Sequence, residues 1–288
     1  MSSLNKGRAT EVTSPRDLEK EFISMAKLFA GRETEQNWEA RDASVRRLRS
    51  LLHQLDKVDA WKGAMIAGLQ DIMSDIIKTI HSLRSSVATE GLCLIQDIGV
   101  TLGDSLNAYT LEIILTNLLK CSSVTKKMIA TKAAQVTNLF LSNTQFHTKI
   151  VMLLCKTINE KNVQLRQYAA TYIKTILETH GSKDAIRSVI AEKLEVSQSI
   201  ESFLRKGLAD GSPHVREASR QTYSVYYDYW PDAAEKLLRS LDSSVQRLLE
   251  KNSPKSSPKP TSRPRMLSSR SNSMSSVSSK TSTSTAAT

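Results

Sequence analysis

The stretch NEKNVQLRQYAATYI, residues 159–173, opens on polar turn residues, then a valine, then an arginine a few places on, then an apolar stripe. The same order returns in RDASVRRLRSLL (41–52) and DGSPHVREASRQTY (210–223), and more weakly in LRSSVATEGLCLI (83–95) and CSSVTKKMIATKAAQV (121–136). The turns centre near residues 38, 86, 125, 161 and 212. A spacing of roughly 40 residues with two helices per unit is the signature of HEAT-type repeats.

The segments between the turns have helical rhythm. From Trp61 the apolar positions run Met65, Leu69, Ile72, Met73, Ile76, Ile77, Ile80 and Leu83. That is the three- and four-residue spacing of one helix face. Residues 92–102, 111–119, 128–141, 150–158, 165–177 and 186–208 read the same way. A sixth short unit fits PDAAEKLLRSL, DSS and VQRLLEK after Pro231, which suits a first helical turn because its missing N–H has no partner there. The fold class predicted is all-α: an α-solenoid of about six HEAT-like helix pairs over residues 16–250. Each pair has an apolar stripe that it cannot bury alone. Stacking buries the stripes and sets the within-pair turns along one edge, an extended binding surface.

Composition agrees. Of 288 residues only 10 are glycine and 7 proline, and four of the prolines lie in the last 38 residues. So few breakers favour helices over strands joined by tight turns. Residues 1–15 read as a loose N-terminus. After Leu249 the chain changes character: 23 of the last 38 residues are Ser, Thr or Pro, with almost nothing apolar to bury, so residues 251–288 read as a disordered tail. The net charge of +11 is uneven. Seven Lys/Arg and no Asp/Glu fall from Lys251 onward, leaving 33 basic against 29 acidic residues before it. Such a tail favours acidic partners.

Several function classes find no support. The histidines His53, His81, His147, His180 and His214 are scattered singly, without metal-ligand spacing, and there is no P-loop, GxGxxG or GxSxG. No convergent set of reactive groups suggests an enzyme, and no cofactor or metal is expected. Cys93, Cys121 and Cys155 stand far apart in apolar runs and read as buried reduced thiols of an intracellular protein. The N-terminus has no apolar signal region, and the longest apolar stretch (64–80) is interrupted by Asp71, Asp75 and Lys78, so no membrane span is expected. Trp38 poses a question. It stands among Glu33, Glu35, Glu39, Arg41 and Asp42, just before the apolar rhythm starts at Val45, and is either a packing plug or a contact for a partner. Trp61 and Trp230 read as core or repeat-junction residues.

The segments DLEKEF…LFAGRETEQNWEARDASVRRLRSLL, SSVTKKMIATKAA and SRQTYSVYYDYWPDAAEKLL resemble the TOG domain of the CLASP family, the cytoplasmic linker-associated proteins of microtubules. The form is most similar to the second TOG domain of a fungal member, over about residues 14–250. The resemblance implies binding of the tubulin heterodimer and the microtubule lattice through the within-repeat turns. It also implies rescue of shrinking microtubules, suppressed catastrophe, a role in the spindle, and a place in the cytoplasm and cytoskeleton, or in the nucleus during mitosis.

Carried onto this chain, the tubulin edge comprises Trp38 and Arg41 in the first turn, Ser85, Ser86 and Val87 in the second, Lys126 and Lys127 in the third, Lys161 and Arg166 in the fourth, and Arg216 and Arg220 in the fifth. Thr89, Gln167 and Tyr168 depart from the family's more basic pattern. The arginines have a structural alternative, since Asp and Arg of successive HEAT turns often pair into a ladder, and Asp42, Asp210, Arg166 and Arg216 could do so. The basic tail would meet the acidic microtubule surface. A second function reading is a HEAT scaffold for nucleic acid or a transport complex. The nearly balanced body and the missing aromatic stacking platforms speak against nucleic acid.

Overall fold

The computed structural model describes residues 12–54 and 61–251. Thirteen α-helices account for nearly all of them: α1 (Pro15–Phe29), α2 (Trp38–Leu52), α3 (Lys62–Ile80), α4 (Ser85–Leu102), α5 (Ala108–Ser122), α6 (Lys127–Ser142), α7 (Thr148–Lys156), α8 (Val163–His180), α9 (Asp184–Glu192), α10 (Leu194–Leu208), α11 (Pro213–Tyr229), α12 (Pro231–Arg239) and α13 (Ser243–Lys251). No strand occurs among the described residues. None of these helices is long and apolar enough to cross a membrane.

The helices form two layers. In one, α1 packs on α3, α3 on α5, α5 on α7 and α7 on α10; in the other, α2 packs on α4, α4 on α6, α6 on α8 and α8 on α11. Members of each pair also touch across the layers. The apolar stripes read from the sequence meet between them: Leu48, Leu52, Ile76, Leu92, Ile95, Leu115, Phe140, Ile173, Phe203 and Tyr226 are all buried in one continuous core. Each fully buried side chain of this size contributes about 1.5–3 kcal/mol relative to exposure. A hydrogen bond inside joins neighbouring helices of one layer, where the Thr222 hydroxyl of α11 donates to the Ala170 carbonyl of α8 at 2.8 Å. Ion pairs bind neighbouring helices as well: Arg49 of α2 reaches Asp97 at 2.7 Å and Glu90 at 2.8 Å, both on α4.

Helix starts follow local chemistry. Ser14 accepts from the Asp17 N–H with Pro15 at the first position of α1, and Asn107 and Asn162 cap α5 and α8 in the same way. Pro213 and Pro231 open α11 and α12. Trp230, between these two, is buried, stacks on Tyr226 with ring centres 5.5 Å apart, and donates its indole N–H to the Arg187 carbonyl at 3.2 Å. It is a junction residue, as read from the sequence, and Trp61 packs half-buried against the core.

Two expectations are corrected. The helix read over 186–208 is two helices, α9 and α10, broken at Lys193, whose backbone is extended. The buried Ile190 and Val196 are six residues apart, about 240° around one helix at about 100° per residue, so a straight helix would turn one of them to solvent. The loose N-terminus read over 1–15 includes residues that the fold uses: Val12 is buried in the core and Ser14 caps α1. Cys121 and Cys155 are buried and Cys93 half-buried, all as free thiols. Burial pushes the Cys121 thiol up to about 11, and Cys155 upward as well. The tail read over 251–288 lies outside the described residues, apart from Lys251 at the end of α13.

Candidate functional site

Five within-pair turns are tied to one another side by side. Arg84, at the end of the second turn, reaches back to the first: its guanidinium pairs with Glu33 at 2.8 Å and with Glu35, and lies 5.5 Å from the centre of the Trp38 ring. Lys126 of the third turn reaches the second, donating to Ser85 Oγ at 2.9 Å and to the Leu83 carbonyl at 3.4 Å. Asn162 of the fourth turn donates its side-chain amide to the Ser123 carbonyl of the third at 3.2 Å. Arg166 grips Asp210 of the fifth turn through both carboxylate oxygens, at 2.7 and 3.0 Å. The turns therefore run along one edge in chain order.

The first turn knits itself together before Trp38. The Thr34 N–H donates to Asn37 Oδ1 at 2.7 Å, and Asn37 Nδ2 donates to the Arg32 carbonyl at 2.9 Å. Gly31, with φ of 73°, takes the left-handed turn out of α1 that favours glycine. Trp38 then starts α2 half-buried, with Arg84 over its ring. It is no plug, because it is not closed into the core. Of the acidic residues in front of it, the half-buried Glu33 and the exposed Glu35 hold the cation that sits on the ring.

The arginines divide by partner. Arg41 is buried, 3% exposed, and its Nη2 donates to the carbonyls of Phe29, Ala30 and Gly31 at 3.2, 3.0 and 3.1 Å. These carbonyls end α1 and have no helical partner. Arg41 thus closes a helix and is inaccessible on the edge, contrary to its place among the carried-over contacts. Val87 is corrected in the same way: it is the third residue of α4, fully buried. Arg166 and Arg216 share a local device. Arg166 donates to the carbonyls of Glu160 and Lys161, and Arg216 to those of Asp210 and Gly211, each clamping the turn five and six residues behind it.

Arg166 is also the ladder arginine, and its hydrogen bonds hold the Asp210 carboxyl below the ordinary carboxylate range. Asp42 pairs with Arg46 on its own helix and makes no ladder among the described residues. Arg220 pairs with Glu217 and, with Arg216, Asp242 and Leu248, lines a groove reaching the last helix pair.

The remaining edge residues face outward. Ser86, Lys126, Lys127 and Lys161 are exposed. The side chains of Lys127 and Lys161 make no hydrogen bond or ion pair among the described residues. Sequence reasoning missed Arg84, although the quoted stretch LRSSV contains it; its spacing from the Trp38 turn matches the repeat and was the available signal. Among the described residues no cluster of His, Cys, Asp or Glu could hold a metal ion.

Comparison with known proteins places this geometry. The family model described as CLASP N terminal matches residues 18–250. Protein STU1 of Cryptococcus neoformans is 36% identical over 245 residues, covering 84% of this chain and 19% of the relative. The chain thus spans about a fifth of the length of the relatives it matches. Among solved structures, the TOG domain of C. elegans Zyg9 matches with a TM-score of 0.59 at 15% identity, covering 85% of this chain and 87% of that one. A structure of microtubule polymerases, described as showing tubulin recruitment by TOG-domain arrays, matches with a TM-score of 0.63 at 13% identity, covering 81% of this chain and 46% of that one. Likeness at this identity speaks for the fold; the family model and the STU1 identity speak for descent. The chain belongs to the CLASP N-terminal family.

Proposed function

We propose that this chain is a tubulin-binding module of a CLASP-type microtubule regulator, a binding protein and not a catalyst. It grips the tubulin heterodimer along the edge of linked turns. Trp38, presented by Arg84, packs on one subunit, and Lys126, Lys127 and Lys161 meet acidic patches further along, with Arg220 at the far end. The observation that carries this reading is the row of turn-to-turn ties, which fixes the spacing of the contacts while leaving Lys127 and Lys161 unpaired. A rigid edge discriminates between tubulin conformations through differential affinity, and that bias is enough to stabilise dynamic microtubules in the cytoplasm and spindle. The basic segment 251–288 adds a salt-sensitive hold on the acidic lattice.

The test is size exclusion of the chain with free tubulin beside co-sedimentation with microtubules, for residues 1–288 and 1–250. Co-elution with tubulin by both forms is expected, with weaker and less salt-dependent sedimentation of the shorter one. Failure of both to bind tubulin in either assay would overturn the reading.

A further inference from the structure

The second turn carries a feature that the carried-over contacts do not include. Leu83 is 92% exposed. It lies in the short connection between α3 and α4, and that connection is fixed from both sides. The Arg84 N–H donates to Ser82 Oγ at 3.1 Å, and Ser82 Oγ donates to Glu33 at 2.9 Å. The Arg84 side chain is bound to Glu33 and Glu35 of the first turn, and the Leu83 carbonyl accepts from Lys126 of the third. With its neighbours and its carbonyl held, Leu83 cannot fold back onto the core.

A single exposed leucine is ordinary. Here Met128 of the third turn is 60% exposed and Val163 of the fourth is 45% exposed, so three successive turns each present an apolar side chain. The unpaired Lys127 is the chain neighbour of Met128, and the unpaired Lys161 stands two residues before Val163. Apolar side chains rimmed by polar ones mark protein–protein contact surfaces. The positive rim selects a partner surface whose apolar recess is bordered by carboxylates.

We propose that Leu83 is an apolar anchor of the edge, seated in a carboxylate-rimmed recess of the tubulin heterodimer, with Met128 and Val163 continuing the same contact. This rests on the tubulin reading above. The anchor is preorganised: the ties that fix the turn are made in the free protein, so little ordering remains to oppose binding. Leu83 takes the role that the resemblance gave to Val87, which is closed inside α4.

The experiment measures tubulin affinity of the 288-residue chain as wild type, Leu83→Ala, Leu83→Asp and Lys127→Ala, across a salt series. Losing one buried leucine contact weakens binding about 10-fold. Leu83→Ala is expected to show that loss at every salt concentration, with the wild-type salt slope and an unchanged Tm, and Leu83→Asp a larger loss. Lys127→Ala is expected to flatten the slope. If wild type binds and both Leu83 variants bind equally well, the anchor is overturned while the tubulin reading stands. If only Leu83→Asp weakens binding, the effect is charge repulsion and the anchor is again overturned. If wild type does not bind tubulin, the reading itself falls and the anchor with it.

Discussion

The Arg84 guanidinium lies 5.5 Å from the centre of the Trp38 ring while its nitrogens pair with Glu33 and Glu35. One arginine thus joins the first two turns, orients the aromatic and offsets one of the two carboxylate charges in front of it.

Trp38→Ala therefore costs the cation–ring contact and some packing, about 1–2 kcal/mol, less than the about 3–5 kcal/mol of a deleted core aromatic. Thermal melting should shift by only a few degrees, while tubulin binding drops sharply. Arg84→Gln should weaken binding with Trp38 still in place. Unfolding of Trp38→Ala at ordinary temperature would show that the ring is a core plug after all.

Arg41 gives the opposite pattern. Of its three carbonyl contacts one is buried and two are half-buried, and hydrogen bonds to a charged group contribute about 1.5–3 kcal/mol. Arg41→Ala should lower stability by at least that much in chemical denaturation. Lys127→Ala should leave stability unchanged and reduce tubulin affinity. Normal stability in Arg41→Ala would remove its role in closing α1.

The helical periods and the turn positions were legible in the sequence because each turn brings its own polar residues and each helix its own apolar stripe. Pro231 and the capping Asn162 are local signals of the same kind. What was not legible depends on distant chain. Arg41 looks like an edge cation until the carbonyls of residues 29–31 are seen folded onto it. The fate of Trp38 is decided by Arg84, in the next repeat. Val87 reads as turn in SSVAT, but α4 has already begun at Ser85, and the third position of that helix faces inward. Lys193 breaks a helix with no glycine or proline to announce it, because the phase of the buried positions changes there.

The pair Arg166–Asp210 gives a pH signature. The Asp210 carboxyl titrates below its unfolded value of about 3.9, so the stability it contributes is fully present above that pH. This contribution is lost as pH falls through the depressed folded value. Arg166→Gln should cost stability at pH 7 and progressively less below about pH 4, measured by denaturant melts at each pH. A stability difference that stays constant down to pH 2 would show that the carboxylate is not held by Arg166.

The central claim is that the partner meets this domain along the edge of linked turns. Hydrogen–deuterium exchange of the 288-residue chain, alone and with tubulin, tests it most directly. The account predicts added protection at residues 32–38, 82–86, 123–128, 160–164 and 210–214, with the opposite ends of α4, α6 and α8 unchanged. Protection concentrated at those opposite ends, or at the α9–α10 break, with the turns unaffected, would contradict it.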